Sequence, residues 1–191
     1  MTLTASIKGT ITHTHSNALD LSTPVDSMSM ILTNAFTNGT GANKADMVWS
    51  DLRLLAASAS EYIDLATLAV DAGTAPKDGL GGTWTALALK GLAIQLCDSA
   101  GAQITTTVAT ESLKVGGEGS TAAFQAMFHV SGTLSDTAGI VIAPGGTLII
   151  IAPSAVGYAV AAGTNALLKI ANPGVSDAYY KIWILAASLA A

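Results

Sequence analysis

Charged residues are scarce in this sequence of 191 residues, making up 11% of it, where an ordinary soluble domain carries roughly 25%. Aromatic residues are also few, at 5%, although half of the chain is hydrophobic and mean hydropathy is +0.51. The apolar character therefore comes from Ala, Val, Ile and Leu. A surface with so few charges does not keep a lone monomer well solvated. The composition favours either a membrane protein or a subunit whose apolar surface is covered by neighbouring chains.

A long unbroken apolar segment is also missing. The longest stretch without a charge runs from Thr137 to Leu168, and a bilayer span takes about 20 apolar residues. Pro144, Pro153 and four glycines divide this stretch into pieces of strand length, because a helix does not tolerate so many breakers. The N-terminus has no basic start followed by an apolar run, so no signal peptide is expected. The sequence therefore favours a subunit whose apolar surface is covered by neighbouring chains over a membrane protein. No membrane partner is expected.

Cysteines and clustered basic residues are nearly absent. The single cysteine, Cys97, excludes an intrachain disulfide and is interpreted as a small core residue at the end of an apolar run. The eight Lys and Arg residues are scattered, and the net charge is −5. Because binding to a phosphate backbone requires clustered cations, nucleic acid is not expected as a partner.

The dominant pattern in the sequence is β: residues alternate between two sides with a period of two, as in Ser6–His15. Turn sequences such as Pro144-Gly145-Gly146 and Asn172-Pro173-Gly174 separate short strands. The predicted strands are Ser6–His15, Thr83–Cys97, Ile104–Ala109, Ser112–Val115, Phe124–Val130, Gly139–Ala143, Thr147–Ala152, Gly157–Ala161, Ala166–Ala171 and Tyr179–Ala186. The segment Ala45–Ala59 fits a helix or a strand equally. Loops are expected at 39–44, 71–82 and 116–120.

This pattern predicts an all-β fold, an antiparallel β-sandwich that is jelly-roll-like, with under about 15% helix. We expect one domain over residues 1–191, with residues 1–45 forming either an N-terminal arm or extra strands. In the last strand, Ile182 and Ile184 should lie on the side opposite Trp183 and Leu185.

Residues with catalytic or cofactor-binding potential are few. Gly117–Ala122 superficially resembles a dinucleotide loop, but the βαβ surroundings that such a loop requires are missing. The thirteen acids are dispersed, and no serine nucleophile elbow is present. We therefore predict that the protein is not an enzyme and has no catalytic residue and no cofactor.

Two histidines, His13 and His15, lie on one face of a predicted strand, an arrangement that can bind a metal. No third ligand is near in sequence, and His129 is far along the chain. A solvated strand face is the preferred interpretation, unless a rotation axis gathers copies of the pair, and no metal is predicted. The triplet Asn38-Gly39-Thr40 matches a glycosylation acceptor but is interpreted as a turn.

The aromatic residues allow two interpretations, a sugar-binding platform or the filling of a core or interface, and the second is preferred. They include Trp49, Trp84, Trp183, Tyr158, Tyr179 and Tyr180. Two lysines, Lys90 and Lys181, stand inside predicted strands. They are interpreted as gatekeepers against strand-edge aggregation, or as partners for an acid on a neighbouring strand.

Part of the chain resembles small virion proteins of tailed bacteriophages. The resemblance covers roughly Trp49 to Leu185, and the chain departs from it at Ala186–Ala191, which replaces a short Gly ending. The segments that carry it are Ile142–Pro153, Gly157–Thr164, Leu167–Asn172 and the Tyr-rich strand Tyr179–Leu185, with Leu52–Leu55 and Tyr62–Leu65 upstream.

The resemblance implies an antiparallel β-sandwich in a virion, with no catalytic residues. It leaves the location open, because capsid decoration, tail and fibre proteins share such sandwiches. Acidity disfavours a place against DNA, so we expect a capsid decoration (cement) protein on the capsid exterior, made in the host bacterial cytoplasm. Its expected partners are the major capsid protein and itself, as a homotrimer. The alternative is a tail fibre or spike component that binds host surface glycan in a polar, aromatic-bearing concavity at one end of the sandwich.

Overall fold

The computed structural model describes residues 2–16, 18, 23, 25–68, 83–104, 111–116, 123–124, 126–128 and 139–188. All regular structure in these residues is β, arranged as twelve strands in three sheets. In chain order the strands are β1 (Thr4–Ser16), β2 (Val25–Asn38), β3 (Lys44–Ala45), β4 (Met47–Leu55), β5 (Ser60–Asp64), β6 (Ala88–Cys97), β7 (Leu113–Val115), β8 (Ile140–Ile142), β9 (Thr147–Ile151), β10 (Tyr158–Ala159), β11 (Leu167–Ala171) and β12 (Ala178–Ala187).

Two of the sheets enclose the main core. One has the order β10-β6-β12-β4, with β9 also paired to β6, and the other has the order β5-β11-β7-β8. Every pairing within these two sheets is antiparallel. Their inward side chains pack together, with Ile94 and Ile184 from the first sheet beside Ile63 and Leu168 from the second. The predicted all-β, antiparallel sandwich is confirmed, whereas the jelly-roll connection remains a prediction.

The last strand has the predicted orientation. The side chains of Ile182 and Ile184 are buried in the main core, while Trp183 and Leu185 belong to a second cluster on the other side of the sheet. β12 is central, since it pairs with β4 along one side and β6 along the other.

Several strand boundaries differ from the sequence-based expectation. The ambiguous segment 45–59 forms the end of β3, strand β4 and a turn, and the predicted strand at 83–97 begins only at Ala88. Phe124, expected to begin a strand, is buried beside a turn at 126–128, so that prediction is wrong in its described part. Residues 105–109 and 129–130, the loop at 71–82 and residues 117–120 lie outside the described residues.

The third sheet has the order β1-β2-β3, with β3 parallel to the end of β2. Its first two strands form a long hairpin that the sequence did not predict in full. β1 pairs with β2 in antiparallel register from Thr4↔Thr37 to Ser16↔Val25, and β2 was missed. β2 is exposed along nearly all of its length. Its sequence alternates over Ser27-Met28-Ser29-Met30, but the consecutive apolar residues Met30, Ile31 and Leu32 interrupt the pattern.

Candidate interaction surface

The side of the β10-β6-β12-β4 sheet that points away from the main core is called the outer face here. The strand register arranges it in rows that run across β9, β6, β12 and β4. The first row is Ile151, Gly91, Leu185 and Val48; the second is Ile149, Ala93, Trp183 and Ser50; the third is Thr147, Gln95, Lys181 and Leu52. The outer face is mostly apolar, which is unusual for a sheet side that does not border the main core.

The base of the hairpin covers the first row. Leu3, Phe36 and Ala45 form a buried cluster with Leu185, and Ile7 packs against it. A Cβ atom placed on Gly91 would lie 3.0 Å from Cδ1 of Ile7 and 3.2 Å from Cζ3 of Trp183. Glycine at this position therefore allows the hairpin to approach the sheet closely.

The second and third rows remain open and form a groove of about 540 Å³. Its lining is Ser50, Asp51, Leu52, Ala93, Gln95, Thr147, Lys181, Ile182 and Trp183, and most of the exposed lining is carbon. On the rim, Nε2 of Gln95 donates a hydrogen bond to Oγ1 of Thr147 at 3.2 Å. Trp183 joins the two surfaces, because it lines the groove and also packs against the hairpin base. A concave, largely apolar surface with a polar rim is suited to binding another molecule.

Beyond the base, which packs on the first row, the hairpin extends away from the two core sheets. Its residues 9–16 and 25–32 are called the arm. The departure begins at Gly9, where a Cβ atom would meet nothing within 4 Å. Eight paired rows, from Gly9↔Leu32 to Ser16↔Val25, make up the arm, which gives a length of about 27 Å at about 3.4 Å per residue.

The two faces of the arm differ in chemistry. The face that carries Phe36 at the base continues outward with Leu32, Ile11, Met30 and Met28, whose exposed fractions lie between 44% and 55%. Near the tip the same face ends in the polar residues His13, His15 and Asp26. The opposite face consists mostly of Thr and Ser, with Ile31 and Val25 as its exposed apolar residues. The face that carries Met28 and Met30 is called the apolar arm face.

The histidine pair lies near the tip of the arm. His13 and His15 are on the same face and are exposed, as expected for a solvated strand face. Nε2 of His13 lies 3.5 Å from Oδ2 of Asp26. Among the described residues, no three His, Cys, Asp or Glu side chains come together to hold a metal ion.

Lys90 is neither a gatekeeper nor the partner of an acid, so both interpretations of it are wrong. The register between β12 and β6 shifts at Leu185/Ala186, which makes Lys90 the extra residue of a β-bulge. Its side chain is fully buried, and Nζ donates hydrogen bonds to the carbonyl oxygens of Ser154 (2.7 Å), Ala155 (2.5 Å) and Gly41 (3.3 Å). Burial lowers the pKa of this amine. Lys90 thus fastens the turn between β2 and β3, at the foot of the hairpin, to the loop before β10.

The Lys90→Met substitution is expected to lower the free energy of unfolding by about 2–4 kcal/mol, because three partly buried carbonyl oxygens lose a charged donor. Urea denaturation followed by circular dichroism measures this loss. The matched control is Lys181→Met on the exposed side of β12, which should change stability by under about 0.5 kcal/mol. Equal midpoints for the two variants would show that the three contacts contribute nothing.

A second buried polar group connects the two core sheets. Arg53 of β4 donates to Oε2 of Glu61 on β5 from Nε (2.9 Å) and Nη2 (2.5 Å), and the Tyr180 hydroxyl donates to Oε1 of Glu61. Burial, together with the Glu61 carboxylate, raises the pKa of Tyr180 well above its ordinary value, so the hydroxyl keeps its proton and remains a donor. The sequence does not predict this network, because Tyr180 is 119 residues from Glu61 and lies on a strand of the other core sheet.

The six aromatic residues considered for a sugar-binding platform lie in different environments. Trp49, Trp84 and Tyr180 are buried in the core, where Nε1 of Trp84 donates to the carbonyl oxygen of Leu65 at 2.8 Å. Trp183 lines the groove, and Tyr158 and Tyr179 are half-buried. The six aromatic side chains therefore form no common platform.

The cysteine and the glycosylation-like triplet have the environments that the sequence predicts. Cys97 is buried, as predicted. Gly39 of the Asn38-Gly39-Thr40 triplet has a positive φ in the turn that follows β2, which agrees with the turn interpretation. Gly117–Ala122 and His129 lie outside the described residues.

The groove and the arm are surfaces suited to contact with another macromolecule. In the part of the chain that the structure describes, no helix is long and apolar enough to cross a membrane. Comparison with models of known families, with curated proteins and with solved structures found no match to this chain.

Proposed function

We propose that the protein is a structural protein of a bacteriophage virion, a capsid decoration (cement) protein that bridges major capsid subunits on the outside of the head. The observation that carries the proposal is the arm, about 27 Å of hairpin with an unpartnered apolar face. An isolated two-stranded hairpin is marginally stable in water. Contact with a neighbour would therefore complete this part of the structure, as expected for a subunit of an assembly.

Charge and composition support a position on the capsid exterior. The net charge of −5 is unfavourable beside packed DNA, and only 11% of the residues are charged. An assembly subunit on the head surface works mechanically, since it holds neighbouring subunits together against the outward pressure of the DNA. What this work requires is contact area, and a specific interface buries about 1,600 Å². A homotrimer seated on several shell subunits makes several such contacts at once, which raises the overall affinity by orders of magnitude.

Heads that lack the protein are expected to release their DNA at a lower temperature than complete heads. Adding the purified protein back should restore the higher temperature, even in about 1 M salt, because apolar contacts are not weakened by the screening of charges. DNA release on heating, followed with an intercalating dye, measures the effect, and heads given buffer alone are the control. Equal heat stability with and without the protein, together with loss of adsorption to cells, would contradict the cement function.

A second function is favoured by one observation, the presence of Trp183 beside Gln95, Thr147 and Lys181 in the groove. An aromatic ring next to polar side chains is suited to binding a sugar, as in a tail fibre or spike that recognises host glycan. The groove lies on the outer face instead of at one end of the sandwich, and most of its lining is apolar. These two features make glycan binding the weaker candidate, and the adsorption measurement above separates the two functions.

A further inference from the structure

Two unpartnered surfaces of complementary chemistry occur on the same chain. One is the apolar arm face, and the other is the groove formed by the second and third rows of the outer face. We propose that the arm of one copy binds in the groove of a second copy of this chain. This inference adds a contact between copies to the proposed function. It rests on that function in one respect, that the protein assembles with itself.

The arm does not fill the groove of its own chain. Its base is fixed over the first row by Phe36 and Ile7. From Gly9 outward the arm has left the body, and its apolar side chains are exposed while the groove is open. Both surfaces are therefore available to a neighbour in the same folded chain.

The outer face already binds this hairpin, which is the reason for choosing a second copy as the occupant. The first row binds the base through Phe36 and Ile7, and the apolar arm face is the direct continuation of the side that carries them. The groove in turn is the direct continuation of the first row, and Trp183 takes part in both. The contact between copies thus extends, with the same kinds of side chain, an interface that exists within one chain.

Charge is also complementary at the polar ends of the two surfaces. Asp26 lies near the tip of the arm, beside His13, and is highly exposed, while Lys181 is exposed in the third row of the groove. The acid in the groove lining, Asp51, is paired with Arg53. Opposite charges at the rim of an apolar contact orient the partners and contribute little to affinity.

An arm-to-groove contact is heterologous, because the two copies use different surfaces. Each copy then gives one arm and receives one, so the contacts either close into a ring or continue as a filament. A closed ring of three copies agrees with the homotrimer of the proposed function.

The first test compares two adjacent substitutions on the arm. Met30→Glu places a charge on the apolar arm face, and Ser29→Glu places the same charge on the opposite face. Both positions are exposed in the folded chain, so both variants should fold. We expect Met30→Glu to weaken self-association by about 100-fold or more, since an unpaired charge would be removed from water, and Ser29→Glu to leave it within about threefold. Native mass spectrometry and sedimentation of the purified proteins measure the change.

The second test identifies the surface to which the arm binds. Ala93→Glu charges the floor of the groove, and Thr147→Glu, at an exposed position on its rim, replaces it if Ala93→Glu does not fold. Either groove variant alone should be as monomeric as Met30→Glu. An equal mixture of Met30→Glu with a groove variant should give a heterodimer and nothing larger, because one intact arm can meet one intact groove. Contact between two arms or between two grooves would not be restored by mixing.

The inference is overturned if the wild-type protein is monomeric at about 0.1 mM. It is also overturned if Met30→Glu associates as strongly as Ser29→Glu, or if mixing restores nothing. These outcomes are separate from failure of the cement function, which is judged by the heat stability of heads. Wild-type protein that self-associates through the arm but does not stabilise heads would uphold the inference and contradict the proposed function. Loss of head stabilisation in Met30→Glu with unchanged self-association would place the arm on the shell protein instead of on a second copy.

Discussion

Ile184→Asp is expected to leave the protein unfolded in neutral buffer at 25 °C. Ile184 is fully buried in the main core, opposite Trp49 on β4 and Leu92 on β6, both of which are also buried. A carboxylate at this position would be removed from water without a partner, and the lost packing adds to the cost, so we expect a destabilisation of about 4–6 kcal/mol or more. Domains are typically stable by about 5–15 kcal/mol, which makes this a large part of the total. Far-ultraviolet circular dichroism and thermal melting measure the loss.

The same strand provides a matched control, because Lys181 lies three residues away on the opposite, outer face. Lys181→Asp introduces the same side chain at an exposed position and should change stability by under about 1 kcal/mol. A soluble Ile184→Asp variant that melts like Lys181→Asp would show that the inner side of β12 does not belong to the core.

The alternation of β12 could be predicted from sequence because burial imposes it. Ile182 and Ile184 face the core, so the chain must be apolar at every second position there. The turn after β11 could be predicted for a similar reason. Asn172 has a short amide side chain whose Nδ2 donates to the carbonyl oxygens of Leu55, Ala56 and Ser176, while its Oδ1 accepts from the amide of Gly174. The bonds to Gly174 and Ser176 are local, and their availability makes Asn-Pro-Gly a turn sequence, whereas those to Leu55 and Ala56 join segments more than 100 residues apart.

The interaction surface was much harder to predict. Its arm depends on β2, in which Ile31 interrupts a short alternation of Ser and Met, and its groove depends on the register of β9, β6, β12 and β4. Residues as distant as Leu52 and Thr147 line the same groove, and pairing over such distances leaves no local signal. Lys90 illustrates the same limit. A lysine in a strand ordinarily points to water, and only the bulge and two distant loops explain its burial.

Glu61→Ala is expected to destabilise the protein by about 3–5 kcal/mol. The substitution leaves the Tyr180 hydroxyl buried without its acceptor and removes the carboxylate to which Arg53 donates twice. Breaking a buried ion pair by removing one partner costs about 3–5 kcal/mol, because a buried charge is left unpaired. Arg53 is 22% exposed and also contacts Asp51, which places the expected value in the lower half of that range. Guanidinium denaturation at pH 7 measures it.

Two further variants separate the charge of Glu61 from its hydrogen bonds. Glu61→Gln keeps an oxygen acceptor for Tyr180 while removing the negative charge, so its loss of stability should lie between the wild-type protein and Glu61→Ala. Tyr180→Phe removes only the hydroxyl, and in the Glu61→Ala background it should cost at least about 1 kcal/mol less than in the wild-type background, because the two groups contact each other. Additive losses in this double-mutant cycle would contradict the network. Coupling would show that one carboxylate from β5 holds β4 and β12 in a fixed relation to the opposite sheet. The outer face is the reverse side of those two strands, so Glu61 would then also set the geometry of the groove that the arm of a second copy is proposed to enter.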